Sequence, residues 1–423
     1  MRDFRSGLLL VGGVLIVLWT FAAWLPEREG DRSPVMATPD SSGVVSQGKV
    51  PQWLPKATLA LRDTAVSIRW TLLALDLQQQ MRRNRLQARV DAERGDSAAL
   101  HALREASPLV AKYPWTLLAL AQHEAARRAD GANANVHASV AAASAEVTSR
   151  LFPAVRTQVL GRLDANVRAM PDTSGAAIGR QAARIWLAAF SEPSPPPIPS
   201  EYVGPMGWRS RPDRVPDGLD LAVAVPIVLD RANQFRPGPP PASGDQAFVD
   251  ALAEVRRAAQ HRTPAQRRAA RFWALRNGAT EWTRRAAHLL AREGISDPVA
   301  AAVFARLHAA ITDATIACFE AKYHYGLLRP EHADSTITRP WAVGLPHFPA
   351  YPAGHACTAG AAETILTDAL PGAETEIRTA AHEMAESRLW GGVHYRFDNE
   401  AGLALGRDVA RFVMAHPERL SLF

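Results

Sequence analysis

The sequence predicts an all-α protein, built as two packed four-helix-type bundles with a long Pro-rich irregular connection. Three observations carry that expectation. Ala and Leu recur at three- and four-residue steps in TLLALDLQQQ, PWTLLALAQHEAARRA and AAIGRQAARIWLAAF, the spacing of an apolar stripe on a helix. Nothing in that region alternates with period two over a useful length. Between the two helical regions, SEPSPPPIPS, GPMGWRSRPDRVPDG and FRPGPPPASGD pack Pro and Gly too densely for a helix or a central strand.

Taken in order, Arg2 and Arg5 precede an apolar run from Gly7 to Leu25, and the charged EREGDR follows. Residues 1–25 therefore read as a signal sequence or membrane anchor. The small-residue sites nearby (Ala22, Ala23, VMA at 35–37) are poor for cleavage, which favours an anchor. Positive residues before the run place the body outside the cytoplasm, periplasmic or secreted. Residues 26–52 are a polar tether. Residues 53–190 form an N-terminal helical region and 191–245 a Pro-rich irregular wrap. Tyr202, Trp208 and Phe235 give that wrap the apolar surface to lie on a helical body. Residues 246–423 form the C-terminal helical bundle that carries the chemistry. No internal repeat is present.

Hydrophobic residues make up 47% of the 423, enough for a real core. The formal charge of +6 and pI near 9.7 come from arginines spread over helical stretches, with no basic cluster interleaved with aromatics, so no nucleic-acid partner is expected. Four lysines stand against 44 arginines, and Lys322 is the one lysine after position 112. Cys318 and Cys357 are the two cysteines. Outside the cytoplasm they could pair, and two small buried hydrophobes is an equal reading.

Three stretches near the C-terminus carry chemistry. In DATIACFEAKYHYGLLRP, Lys322 and Arg329 lie seven apart, two helical turns, which puts both cations on one face of a helix ending before Pro330. In FPAYPAGHACTAGAAETIL, Gly354-His355 opens a helix, and the free N–H groups of a helix start cradle anions. In SRLWGGVHYRFDNEAG, a helix through Arg388 breaks at Gly391-Gly392. His394 and Asp398 are four apart, so the carboxylate can hold one ring nitrogen and leave the other basic. His382-Glu383-Met384-Ala385-Glu386 has Glu where a zinc-protease HExxH needs its second His, and reads as a solvated helix face.

Together these residues spell K-x6-RP, P-x-G-H and SR-x5-H-x3-D in that order, which resembles the shared signature of the vanadium-dependent haloperoxidases and type 2 phosphatidic acid phosphatases. The likeness extends upstream through GPMGWRSRP, FRPGPPPASGDQAF, RTPAQRRAARFWA and DATIACFEAKYHY to bacterial haloperoxidase-like proteins, over roughly 140–423. The resemblance implies that Lys322, Arg329 and Arg388, with the Gly354 N–H, hold the oxygens of vanadate or phosphate. It implies that His394 binds vanadium or attacks phosphorus, that Asp398 orients it, and that His355 is the acid/base. Phe348 lines the space beside the metal in chlorinating relatives. Phe319 stands where those relatives have Trp, and Ala353 where the family has a Ser that donates to the anion, a bond worth about 1.5–3 kcal/mol.

The expected activity is vanadate-dependent oxidation of halide by hydrogen peroxide. One alternative is an extracytoplasmic acid phosphatase that cleaves a phosphate ester through a phosphohistidine, with phosphate as the competing ligand of the cage. Another is a degenerate oxyanion-binding helical protein without turnover. The multi-span lipid phosphatases are disfavoured because only the first 25 residues are expected to be apolar enough to cross a bilayer.

Overall fold

The computed structural model describes residues 64–93, 113–168, 170, 172–190, 201–211, 214–341 and 346–422. The expected anchor (1–25) and tether (26–52) lie outside them. Residues 54–423 fall in one compact unit.

The N-terminal helices are α1 (Val66–Glu93), α2 (Pro114–Gly131), α3 (Val136–Leu151), α4 (Arg156–Arg168) and α5 (Ala176–Ala189). Small residues let α2, α3 and α5 pack against one another. At Gly179 a Cβ would lie 1.9 Å from the Ser139 carbonyl oxygen, so only glycine permits that approach. After the Pro-rich segment, which holds the single turn α6 (Leu219–Ala222), come α7 (Gln246–His261), α8 (Pro264–Leu275), α9 (Gly278–Arg292) and α10 (Asp297–Tyr325). The chain ends with the short α11 (Pro330–Ala333), then α12 (Gly354–Ala369), α13 (Glu374–Trp390) and α14 (Arg396–Ala415). Among the described residues there are isolated bridges, Val203 to Arg209 and Gly207 to Leu327, and no named strand. The fold is all-α.

Local chemistry sets several boundaries. Thr263 and Gln266 form a capping box ahead of Pro264, and Asn135 and Asn277 cap α3 and α9 through their side-chain oxygens. Helix α10 stops at Gly326, whose φ of 63° is the left-handed conformation that favours glycine at a helix end.

Helix α10 is the axis of the molecule, packing against α2 on the N-terminal side and against α12 and α14 on the other. By length and composition it is apolar enough to cross a membrane, which corrects the expectation that only the first 25 residues are. Most of that apolar surface is covered by other helices, so composition alone could not tell a core helix from a spanning one. The Pro-rich segment lies along the same helix. Trp208 is buried, and its N–H donates to the Gly326 carbonyl (2.9 Å). Asp313, inside α10, accepts from the backbone N–H groups of Ile227, Val228 and Leu229 at 2.6–2.9 Å. Tyr325 and Tyr351 donate their hydroxyls to the carbonyls of Pro237 and Gly238.

Candidate active site: a buried cationic cage

Four segments converge below the N-terminus of α12: the end of α10, the loop 346–353, the end of α13 and the start of α14. Lys322 and Arg329 are fully buried, and Arg388 and His394 nearly so. Burial lowers the pKa of all three cations, Lys322 to about 8, Arg388 to about 9 and Arg329 to about 10, yet each stays charged at neutral pH. Three positive charges held in a low-dielectric site repel one another, and the arrangement is relieved by an anion.

The route by which Lys322 and Arg329 meet differs from the expectation. Seven residues do not carry them up one helical face, because Gly326 turns the chain and Arg329 is in extended conformation at φ −78°, ψ 154°. They converge because both hold the loop that follows. Lys322 Nζ donates to the carbonyls of Pro349 (3.1 Å), Ala350 (2.7 Å) and Pro352, and Arg329 Nε donates to Phe348 O (3.0 Å). Lys322 thus has all three protons on backbone oxygens and acts here through its charge and by shaping the loop that presents Gly354 and His355. The Phe348 ring lies against both cations, 5.1 Å from Lys322 Nζ and 4.8 Å from Arg329 Cζ, and Phe319 packs edge-on to it at 5.1 Å.

The donors that remain face the question of a ligand. Arg329 Nη2 and Arg388 Nη1 are buried without a hydrogen-bond partner. Such orphans are rare in folded proteins. They fit an oxyanion such as vanadate or phosphate, which accepts from several guanidinium N–H groups at once.

His394 sits just before the start of α14. Its Nδ1 is 2.8 Å from Asp398 Oδ2, which also accepts the Tyr395 N–H (3.1 Å). Burial, then Arg329 and Lys322, holds His394 well below the usual imidazole range, so it is neutral. With Nδ1–H on the carboxyl group, Nε2 keeps its lone pair, 3.4 Å from Arg329 Nη1. The other Arg329 Nη1 bond, to Val393 O (2.9 Å), fixes the residue beside it. Burial pushes the Asp398 carboxyl up to about 7, against the pull of Lys322 and Arg329.

His355, in the first turn of α12, is half-buried, and its Nε2 lies 2.9 Å from the Trp273 carbonyl. Burial and then Arg388 lower its pKa to about 3. Gly354 has room for a Cβ, which would meet Cys318 Sγ at 3.9 Å and Lys322 Cε at 4.0 Å. What glycine keeps open there is cradle space, since no close neighbour demands it. Ala353 is wholly buried and packs with Ala356, Ala385 and Leu403 at the α12 N-cap, with no side-chain cap. Cys318 and Cys357 are free buried thiols in hydrogen-bond reach of each other, and Cys318 Sγ also approaches Pro352 O at 3.6 Å.

Some neighbours carry no local signal in the sequence. Trp341 lies over the Arg388 guanidinium at 5.5 Å, a position that Gly391 permits because a Cβ there would come within 2.7 Å of the indole. Trp273 reaches the cage only through its backbone oxygen. His382 and Glu383 are exposed, and among the described residues no three His, Cys, Asp or Glu side chains gather into a cation site.

The likenesses to known proteins agree with this geometry. Residues 300–421, which hold every cage member, match the PAP2 superfamily. No curated protein matches the chain. Among solved structures, a bacterial vanadium-dependent iodoperoxidase superposes with a TM-score of 0.60 at 24% identity, covering 73% of this chain and 91% of that one. A bacterial vanadium-dependent chloroperoxidase in its apo form gives 0.57 at 13% identity, covering 75% and 96%. Its holo form gives 0.53 at 16%, covering 74% and 94%. Residues 300–421 thus carry the likeness to the PAP2 superfamily, and the fold is the one seen in the bacterial vanadium-dependent haloperoxidases.

Proposed function

We propose that the cage holds vanadate against His394 and that the protein oxidises halide with hydrogen peroxide. The observation that carries this reading is the pair of buried, unpartnered guanidinium nitrogens, Arg329 Nη2 and Arg388 Nη1, in one cage with a neutral histidine whose Nε2 keeps its lone pair beside Arg329. Vanadate bound there supplies Lewis-acid activation of the peroxide. The chain's own residues hold and tune the site. Arg329, Arg388 and the Gly354 N–H would hold the oxygens of the bound oxyanion, Lys322 adds charge from behind the loop, and Asp398 keeps the His394 ring aimed. His355, lowered by burial and then by Arg388, would regain basicity where the Arg388 charge is neutralised, and could then hold and return a proton.

The superfamily match keeps a second reading in play, hydrolysis of a phosphate ester through a phosphohistidine at His394. It uses the same atoms, with His355 as the acid for the leaving group. We place the reaction outside the cytoplasm, on the strength of Arg2, Arg5 and the apolar run that follows.

The test is to load the purified protein with orthovanadate and follow dye bromination and chlorination by hydrogen peroxide, beside p-nitrophenyl phosphate hydrolysis without vanadate. Halogenation that requires vanadate and is lost in His394→Ala is the expected result. Hydrolysis alone would move the assignment to the phosphatase reading, and silence in both assays would leave an oxyanion-binding protein without turnover.

A further inference from the structure

Above the cage lies a cavity of about 460 Å³ whose floor includes Phe348, Gly354 and His355. Its far walls come from α1 and α2, through Gln78, Tyr113 and Trp115, and from the start of α9 and the middle of α10. Two properties of this lining narrow what it can hold.

The first is charge. Among the described lining residues none is Asp, Glu, Lys or Arg; His308 is held neutral by burial, and His355 lies at the floor with its Nε2 on the Trp273 carbonyl. A charged guest would lose its hydration with no counter-charge in the wall.

The second is that the threonine hydroxyls of the wall are already engaged. Five threonines line the cavity. Thr116 donates to the His308 carbonyl (3.3 Å) and pairs with Thr312 at 2.6 Å. Thr315 donates to Ile311 O (2.7 Å), Thr358 to Gly354 O (3.1 Å) and Thr280 to Gln78 Oε1 (3.4 Å). The Trp115 indole N–H is likewise on Thr280 (3.3 Å). A wall made of polar residues therefore presents mainly methyl groups and ring faces, with hydroxyl lone pairs left to accept.

We propose that this cavity binds an uncharged aromatic molecule carrying a hydroxyl, held over the cage by Trp115, Tyr113 and Phe348, with its hydroxyl donating to a threonine oxygen. The volume lies within the roughly 300–1,000 Å³ of small-molecule sites. Calling this guest the organic acceptor of the oxidised halogen rests on the peroxidase reading. Its binding does not.

The probe is 2-naphthol, with 2-naphthoate as an anionic counterpart of similar size, titrated by calorimetry at neutral pH into the full-length protein with excess inorganic phosphate to occupy the cage. Naphthol is expected to bind at least about tenfold tighter than naphthoate. Thr315→Trp, which fills the cavity, and Trp115→Ala, which removes a wall, are each expected to weaken naphthol by about tenfold or more and leave phosphate affinity within about twofold. Phosphate binding also reports that a variant is folded, and the second substitution serves if the first is not. Naphthoate binding as well as naphthol, or naphthol affinity unchanged in the folded variants, overturns the proposal. Absence of phosphate binding to the unaltered protein would instead count against the cage, with the naphthol result still read separately.

Discussion

At the scale of single residues, Gly354 and Ala353 make the sharpest predictions because they differ in what their backbone neighbours allow. A Cβ at 354 meets nothing closer than 3.9 Å, so Gly354→Ala is expected to fold normally, with a thermal midpoint near that of the parent. Its methyl would sit in the anion cradle, and vanadate affinity is expected to fall by about tenfold or more, the effect of losing roughly one charge-assisted bond. Equal affinity in a vanadate titration would show that the anion does not approach this N–H. Ala353→Ser tests the departure from the family pattern. The serine would occupy the uncapped N-cap of α12, where its oxygen can accept a helix N–H while its proton faces the cage. A stability gain of about 1 kcal/mol is expected from the cap. Vanadate binding is expected to tighten as well. A rise in thermal midpoint without tighter binding would assign the hydroxyl to the helix alone.

At the scale of elements, one carboxylate of α10 gathers three backbone N–H groups of the Pro-rich segment. Asp313 is fully buried, and burial pushes its pKa up to about 6 against three backbone N–H bonds. Asp313→Ala leaves the N–H groups of 227–229 without that acceptor, and each buried donor left unsatisfied costs about 1–3 kcal/mol. Lower thermal stability and faster proteolysis within 214–245 are expected, and a cleavage pattern like that of the parent would show that the aromatic contacts hold the segment without it. The cage loop shows the same division of labour. Three of its residues are prolines, and the carbonyls of residues 348, 349, 350 and 352 all accept from Lys322 or Arg329. The helix start at Gly354 and the break at Gly391-Gly392 were legible in the sequence because caps and glycines act locally. The placement of Arg329 is not legible there, since the chain beyond Gly326 is held by contacts between distant segments, with the Gly204 Cα lying 2.4 Å from where a Cβ at 326 would be.

At the scale of the whole molecule, buried neutral histidines tie stability to pH. His308 and His355 are depressed to about 3 and His394 well below its usual range, each chiefly by burial. The unfolded chain binds protons at these residues below about pH 6.5 and the folded chain does not. Their contribution is therefore complete above that pH and is lost as pH falls toward 3. At pH 5, His308 is expected to cost about 2 kcal/mol, and His394 adds to the loss in the same direction. Thermal melts without oxyanion should fall steadily between pH 6.5 and 5. Saturating vanadate or phosphate should raise the melts by mass action and restore part of the acid limb, because the anion stabilises protonated His355. His308, away from the anion, is not rescued, so His308→Gln should flatten what remains. A pH-independent midpoint over this range would contradict the neutral assignments.

The sequence by itself determined the helical class, the three cage stretches and their order, because helix periodicity, caps, glycine breaks and the four-residue step from His394 to Asp398 are written in neighbouring positions. The tertiary structure decided how those stretches face one another. Cations seven residues apart meet through a turn and a shared loop, Trp341 and the Trp273 carbonyl complete the site from other elements, and α10 is buried by helices on both sides. The cavity over the cage was the least legible feature. Its walls join Gln78 and Trp115 to His355, more than 200 residues away in sequence, and no local pattern records a surface that exists only when distant helices pack.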